Sequence, residues 1–240
     1  MGLARAISKM GYCSRARAAE LISAGQVRLN GSVRRDAETP VRLGRDKIEV
    51  DGQEVCVAKK TYWMLNKPRG TVTTASDEKG RQTVYHHLDA GLPWVAPVGR
   101  LDQASEGLLL LTNDSEWAAR VLAPETHLEK TYHVQIAAVA DEALLEGLRR
   151  GVREGGEFLR VTRVSILRQG QRNSWLEMVL DEGKNRQIRR MLEALGVQVL
   201  RLVRVAIGGL ALGDLAKGSA RELRTQEKAA IDAALGKRKN

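Results

Sequence analysis

The chain has 240 residues, of which 43% are hydrophobic and 28% charged, and its formal net charge is +10 at pH 7. Its apolar runs fall far short of the roughly 20 residues that cross a bilayer, and its N-terminus carries Arg and Lys throughout, unlike a secretory signal. We therefore expect a cytoplasmic protein of one or two domains without a membrane span, whose positive charge favours nucleic acid as the partner.

Residues 1–58 are predicted to form a small module of their own. Apolar residues spaced three and four apart predict a helix near 3–10, and Ser14 caps a second helix that ends at Gly25. An Asn-Gly pair in "QVRLNGSV" and an Asp-Gly pair in "KIEVDGQEV" each interrupt an alternating apolar pattern. These pairs tolerate positive φ, so two tight hairpins of short strands complete the module.

Two arginines, Arg15 and Arg17, stand in the first turn of the second predicted helix, where cations oppose the helix dipole. An external anion would explain them. The segment "AISKMGYCSRARAAELISAGQVRLNG" resembles the S4-type RNA-binding domain of a ribosomal small-subunit protein. That resemblance implies that the second helix and the turn after it contact structured RNA. The residues so implicated are Lys9, Ser14, Arg15, Arg17, Arg28 and Asn30.

The pattern changes near residues 57–61, where a basic pair precedes a strand-like run stopped by Pro68. We predict three parts: the module 1–58, a catalytic domain 59–232, and a basic, disordered tail 233–240. Strands are predicted near 95–98, 107–112, 129–137, 158–167, 174–181 and 197–207, and helices near 114–123, 141–150 and 185–195. Because strands outnumber helices and follow one another directly, the pattern favours an α+β fold with a mixed, mainly antiparallel sheet flanked by helices.

Several cofactor chemistries lack their motifs. The four histidines and two cysteines do not provide the His-x-Glu and Cys-x-x-Cys of a zinc deaminase. A Walker loop, a dinucleotide fingerprint and a Gly-x-Ser-x-Gly elbow are also missing from the sequence. We therefore expect a reaction carried by side chains alone, with no metal and no cofactor.

Three segments carry charged or aromatic residues beside apolar ones. They are Arg100-Leu101-Asp102, the strand "EKTYHV" with Tyr132, and "DEGKNRQIRRML", where Arg189 stands at the border of an apolar helix stripe. Each has an ordinary structural explanation: an Asp can cap a turn, a strand Tyr can be core, and Arg189 can pair with Glu193. Together, behind a basic RNA-binding module, they favour a catalytic site.

The strings "LNKPRG", "GRLDQASEGLLLLTND", "EKTYHV" and "GKNRQIRRML" resemble, in order, the motifs of the RsuA-type pseudouridine synthases, a bacterial family that acts on ribosomal RNA and includes RluB and RluF. The resemblance runs from about residue 60 to 225. It implies isomerisation of uridine to pseudouridine within RNA. The bond from ribose C1′ to uracil N1 breaks, the base turns, and C5 is joined to C1′, without redox change, metal or cofactor.

The resemblance also implies roles for particular residues. Asp102 matches the carboxylate that attacks the sugar or stabilises its developing cation, and Arg189 matches the guanidinium that keeps that carboxylate ionised. Tyr132 matches the aromatic that stacks on the flipped base and takes the C5 proton. Lys67 and Pro68 are expected to be scaffold under the catalytic loop. The residues of this domain expected to face RNA are Arg100, Lys130, Lys184, Asn185 and Arg186.

The main alternative is a non-catalytic RNA-binding or ribosome-assembly factor that uses the same basic surface. An RNA methyltransferase or nuclease is a weaker alternative, because the sequence lacks a cofactor loop or clustered acidic metal ligands. The expected partner is ribosomal RNA, free or in an assembling subunit, and the protein is expected to be a monomer. The sequence leaves open which uridine is modified and in which subunit; we favour large-subunit RNA because more subgroups of the family act there.

Overall fold

The computed structural model describes residues 1–75, 77 and 79–236. The described helices are α1 (Leu3–Lys9), α2 (Arg15–Ser23), α3 (Ser115–Leu122), α4 (Glu142–Arg150), α5 (Gln187–Ala194) and α6 (Thr225–Gly236). The described strands are β1 (Val27–Leu29), β2 (Ser32–Val33), β3 (Ile48–Val50), β4 (Gln53–Glu54), β5 (Tyr62–Lys67), β6 (Ala96–Val98), β7 (Glu106–Thr112), β8 (Lys130–Ile136), β9 (Val152–Glu154), β10 (Glu157–Leu159), β11 (Arg163–Gln169), β12 (Ser174–Leu180), β13 (Val199–Ile207), β14 (Leu210–Ala211) and β15 (Ala220–Glu222). Each helix in these ranges is too short or too polar to cross a membrane.

The N-terminal module contains the predicted two helices and two hairpins. Its small antiparallel sheet has the order β2-β1-β3-β4, and α1 and α2 pack with it around a core of their own. The hairpin turns place Asn30 at φ 51° and Asp51 at φ 49°, a region that these residue types tolerate. The side chain of Ser14 accepts a hydrogen bond from the backbone N–H of Arg17 at 3.1 Å, which confirms the predicted cap of α2.

The larger domain is built on one nine-stranded sheet. Its strands follow the order β11-β12-β8-β13-β7-β5-β15, with β14 beside β13 and β6 beside β7. β13 and β7 pair in parallel, and the other described pairs of this sheet are antiparallel. The predicted α+β fold with a mixed, mainly antiparallel sheet is confirmed.

The apolar strand β7 is the centre of this domain, and all seven of its residues are buried. Leu108 and Leu110 pack into a cluster with residues of α3 and α6, whereas Leu109 and Leu111 pack on the opposite face. Successive side chains of a strand point to opposite faces, so a run without alternation predicts a strand covered on both sides. α4 and α5 contribute to a further cluster over β8 and β12.

The structure corrects two sequence predictions. The single strand predicted at 158–167 is two strands, β10 and β11, and β10 pairs with β9 around a Gly155-Gly156 turn in which both glycines have positive φ. The tail predicted at 233–240 is helical in its first part, because α6 continues to Gly236 and anchors the buried Ile231 in the α3 side of the core. Residues 237–240 lie outside the described residues.

The two parts of the chain contact each other at α3. The ammonium of Lys9 in the N-terminal module pairs with Glu116 of α3 at 3.1 Å. Lys9 is predicted above to face RNA, but in the structure its charge is paired across this junction. The domain limits 1–58 and 59–232 remain predictions.

Candidate active site

The candidate catalytic loop, residues 99–105, connects β6 to β7. Leu101 and Ser105 are buried at its two sides, and the backbone N–H of Ser105 donates to the carbonyl of Asp102 at 3.0 Å. The side chain of Asp102 is 34% exposed. The loop therefore holds its ends in the core and leaves the carboxylate at the surface of the cleft.

A buried lysine lies beneath this loop. Lys67, at the end of β5, is fully buried, and its ammonium donates to three backbone carbonyls: Pro68 at 3.1 Å, Asp102 at 3.1 Å and Ser105 at 2.9 Å. All three of its hydrogens thus have acceptors. Burial lowers the pKa of Lys67 to about 8, against the opposing charges of Asp102 and Glu106. The lysine fastens both sides of the catalytic loop to β5, as expected for scaffold.

Arginines surround the Asp102 carboxylate. The sequence prediction assigns the cation beside Asp102 to Arg189, but the ion pair is formed by Arg186, whose Nη1 lies 3.6 Å from Asp102 Oδ2. Arg186 precedes α5 with a left-handed backbone, φ 48°, and this conformation turns the chain into the helix beside the loop. Arg189 reaches the same loop through a hydrogen bond from its Nη2 to the carbonyl of Ala104 at 3.2 Å.

The charge around Arg189 is strongly positive. Burial, together with the charges of Arg186 and Arg69, lowers the pKa of Arg189, while the charge of Asp102 acts in the other direction. Its Nε is buried and lacks a hydrogen-bond partner among the described residues. A site with this excess of guanidinium groups favours an anionic ligand.

Tyr132 lies across the sheet from the loop. It pairs with Arg204 on β13, and Arg204 pairs in turn with Gly107 at the start of β7. Directly paired residues face the same side of a sheet, so Tyr132 and Gly107 share one face. Two strand spacings separate them, which is about 10 Å. Tyr132 is half-buried against the α5 side of the core.

The exit of the loop is fixed by close packing and by a buried ion-pair network. A Cβ on Gly107, which has φ +100°, would lie 2.3 Å from the carbonyl oxygen of Arg204, so only glycine fits there. Glu106 is buried and pairs with Arg201 at 3.1 Å and with Lys217. Burial alone would raise the pKa of Glu106, but hydrogen bonds from these two cations lower it.

The RNA-facing predictions for the larger domain have mixed outcomes. Arg100 is exposed and forms no ion pair within the described part of the chain, and Asn185 is also exposed. Lys130 is half-buried, and burial together with the charge of Arg204 lowers its pKa. Lys184 has partners within the chain, since its ammonium donates to the carbonyl of Phe158 at 2.7 Å and pairs with Glu182.

The RNA-facing predictions for the N-terminal module divide in the same way. Arg15 and Arg28 are exposed. Arg17 is exposed but pairs with a glutamate one turn on, at 2.9 Å. Ser14 and Asn30 serve the module itself: the first caps α2, and the second binds a loop residue's backbone N–H at 2.9 Å. A basic or polar residue in a matching motif can therefore have a structural partner that sequence does not reveal.

Sequence reasoning missed several residues of the site. Arg69 and the buried Arg204 were not singled out, nor was Arg190, which binds Glu154 and Glu157 of the β9–β10 hairpin. One signal was present: Glu106 lies two residues before four leucines, and a carboxylate so close to a buried run is costly to bury without cations. The partners of that glutamate come from distant parts of the chain, and no local pattern names them.

The fold and the site together define an RNA-modifying enzyme with an RNA-binding module in front. A family model described as RNA pseudouridylate synthase matches residues 61–194, and one described as S4 domain matches residues 1–48. The chain belongs to the RNA pseudouridylate synthase family, and it carries an S4 domain at its N-terminus.

Its relatives cover almost the whole chain. The chain is 38% identical over 227 residues to the ribosomal large subunit pseudouridine synthase B of Bacillus subtilis, covering 94% of this chain and 93% of the relative. It is 40% identical over 222 residues to an uncharacterized RNA pseudouridine synthase of Rickettsia prowazekii, covering 92% and 93%. A crystal structure of a pseudouridylate synthase superimposes with a TM-score of 0.67 and 29% identity, over 96% of this chain and 99% of that one.

Proposed function

We propose that the protein isomerises uridine to pseudouridine in large-subunit ribosomal RNA, with Asp102 as the catalytic carboxylate. Membership of the RNA pseudouridylate synthase family gives the reaction class, and the Bacillus relative is named for the large subunit. The observation that carries the residue assignment is the Asp102 carboxylate, held on a clamped loop 3.6 Å from Arg186 in a protein of net charge +10.

Asp102 acts on the sugar of a uridine that has left the base stack. Its ionised oxygen attacks C1′, or stabilises the positive charge there, as the bond from C1′ to N1 breaks and its electron pair stays with the uracil. The uracil turns, and C5 forms the new bond to C1′; where Asp102 has bonded to C1′, that bond breaks at the same step and its electron pair returns to the carboxylate. C5 then loses its proton while N1 gains one, so the reaction is redox-neutral.

Three groups support this chemistry in the proposal. Arg186 and Arg189 hold the carboxylate and its loop in place and attract the phosphates of the target nucleotide. Tyr132 stacks on the uracil, and its oxygen takes the proton from C5. Flipping the uridine costs a few kcal/mol, which stacking in the pocket offsets.

The partner is RNA, and its finer identity is part of the proposal. The S4 domain would hold structured RNA through its exposed basic residues, among them Arg15 and Arg28. We propose a monomer that acts in the cytoplasm on ribosomal RNA or on a large-subunit precursor. Salt should weaken this binding, because each phosphate contacted releases condensed counterions.

Asp102→Asn tests the proposal. The variant keeps the size of the side chain, so we expect a folded protein that binds ribosomal RNA and forms no pseudouridine in it. Asp214→Asn, at an exposed aspartate away from the loop, is the matched control and should react like wild type. Carbodiimide mapping of ribosomal RNA from cells with and without the protein identifies the uridine. Measurable turnover by pure Asp102→Asn would refute the assignment.

The non-catalytic alternative predicts a different result in the same experiment. A pure RNA-binding factor would leave the pseudouridine map unchanged when the protein is absent. The site itself argues against that reading. A carboxylate among arginines repels phosphate and so weakens RNA binding, and a factor that only binds RNA gains nothing from it.

A further inference from the structure

A groove beside Asp102 extends beyond the groups that take part in the chemistry described above. It is a cavity of about 370 Å³ between α5 and the turn that leads into β13. We call it the α5 groove, and its lining includes Arg186, Arg189, Glu193, Val197, Gln198 and Val199. A volume of this size is within the range of small-ligand pockets and is sufficient for one nucleotide.

The α5 groove begins at the candidate active site. Two of its walls are the guanidinium groups of Arg186 and Arg189, the same groups that contact Asp102 and its loop. From Arg186 to Glu193 the lining runs seven residues along α5, about 10 Å at the rise of an α-helix. A strand of RNA with its uridine at Asp102 would therefore place the next nucleotide in this groove.

The lining is amphipathic in the way that a nucleotide requires. Val197 and Val199 are half-buried and pack against the core below α5, so they offer an apolar surface to the face of a base. Glu193 and Gln198 are exposed at the rim and can bind the edge of the base. The guanidinium groups at the other end suit its phosphate.

Glu193 gives the groove its selectivity. A pairing with Arg189, four residues earlier on the helix, would be the ordinary explanation for this glutamate. Arg189 instead donates to the carbonyl of Ala104, and Glu193 forms no ion pair with any residue that the structure describes. A carboxylate oxygen accepts hydrogen bonds, so Glu193 favours a base edge with an exocyclic amino group over the edge of uracil, where one N3–H donor lies between two carbonyl oxygens.

We propose that the α5 groove binds the nucleotide next to the target uridine in the same RNA strand, and that this nucleotide carries an amino group on its base. Adenine, cytosine and guanine meet that condition, and uracil does not. The inference rests on the proposed function, because it assumes that the uridine enters at Asp102. Its consequence is that α5 reads part of the RNA sequence, in addition to holding the catalytic arginines.

The test uses a hairpin RNA that contains the mapped uridine. Each nucleotide flanking that uridine is replaced, one at a time, by uridine and by an abasic residue, and pseudouridine formation is followed in single turnover. At one flanking position we expect wild type to lose about tenfold in kcat/KM, mainly through weaker binding, which is the size of one base-edge contact. Replacements at the other flanking position should change it less than twofold.

Variants link this dependence to the groove. In Glu193→Gln the amide can donate to a uracil oxygen, so the penalty for uridine should fall below about threefold. Val199→Trp fills the groove and should make the enzyme indifferent to the flanking base, with the parent RNA bound about tenfold more weakly. Glu146→Gln, at an exposed glutamate of α4, is the matched control and should discriminate like wild type.

The outcomes separate this inference from the proposed function. If wild type forms no pseudouridine in the parent hairpin, or in ribosomal RNA lacking the modification, the proposed function and the inference both fail. If the parent RNA reacts but every flanking replacement is tolerated, the inference alone fails. Unchanged discrimination in Glu193→Gln overturns it as well, since the base would then be read elsewhere.

Discussion

Replacing Lys67 by methionine would remove the cation beneath the catalytic loop while filling a similar volume. The ammonium is fully buried, and its acceptors are the carbonyls of Pro68, Asp102 and Ser105 at 3.1, 3.1 and 2.9 Å. Methionine has no donors. The substitution therefore removes the hydrogen bonds between β5 and the loop and leaves the apolar packing in place.

The expected change in stability is small because two effects oppose each other. The carbonyl of Asp102 keeps its bond from the N–H of Ser105 at 3.0 Å, so two carbonyls lose their donor, at about 1–3 kcal/mol each. Burial lowers the pKa of Lys67 to about 8, and keeping a lysine ionised against such a shift costs about 3 kcal/mol at neutral pH. We expect the free energy of unfolding to change by less than about 3 kcal/mol.

The expected change in activity is large. A loop without its fastening lets the carboxylate move, and a misplacement of about 1 Å can cost about 100-fold in rate. Single-turnover pseudouridine formation with saturating enzyme measures this loss, and denaturant unfolding measures stability in parallel. Lys59→Met, at an exposed lysine, is the control. A Lys67→Met enzyme within about threefold of wild type, or one destabilised by more than about 5 kcal/mol, would refute the reasoning.

Three further predictions follow from the same site. Tyr132→Phe keeps the stacking ring but not the oxygen, so RNA affinity should hold while the rate falls about 100-fold; a rate within about threefold of wild type would contradict the assigned role. Burial lowers the pKa of Lys67 to about 8, so the wild-type rate should decline as the pH rises through about 8. The neutral amine keeps only two hydrogens for the three carbonyls that it binds. A rate that still rises at about pH 9 would speak against this role of Lys67. Burial alone would raise the pKa of Glu106, but hydrogen bonds from Arg201 and Lys217 lower it below its ordinary value of 4.5. The ion pairs of Glu106 therefore stabilise the fold fully above pH 4.5, and this stabilisation is lost as the pH falls through the lowered pKa of the folded state. Glu106→Gln should lower the free energy of unfolding by about 3 kcal/mol at neutral pH and by less in acid. An equal loss at both pH values in denaturant unfolding would contradict this role of the ion pairs.

Local patterns predicted the parts of the fold that local physics controls. The cap at Ser14 and the Asn-Gly and Asp-Gly turns are confirmed, because a side-chain acceptor or a tolerated positive φ acts within a few residues. The four-leucine run predicted a buried strand, and β7 is buried on both faces. The α6 helix and the β9–β10 hairpin escaped prediction because packing against the core decides both.

The candidate site shows the limit more sharply. The motif containing Asp102 marked the carboxylate, but the cation that pairs with it is Arg186, and Arg189 binds the neighbouring backbone. Both arginines lie in one short motif, so the sequence cannot rank them. Arg186 lies just before α5 with a left-handed backbone and Arg189 lies within the helix, so the two side chains reach different atoms of the loop.

The sequence by itself determined the α+β class, the N-terminal module and the family, because these depend on periodicity, turn chemistry and motifs read along the chain. Only the tertiary structure decided which charges have partners within the chain and which stay exposed. Lys9 and Lys184 have internal partners, while Arg15, Arg28 and Arg100 remain exposed. The physical reason is that an ion pair needs an opposite charge within about 4 Å in space, whatever the distance along the chain. Lys9 and Glu116 form such a pair although they are 107 residues apart in sequence.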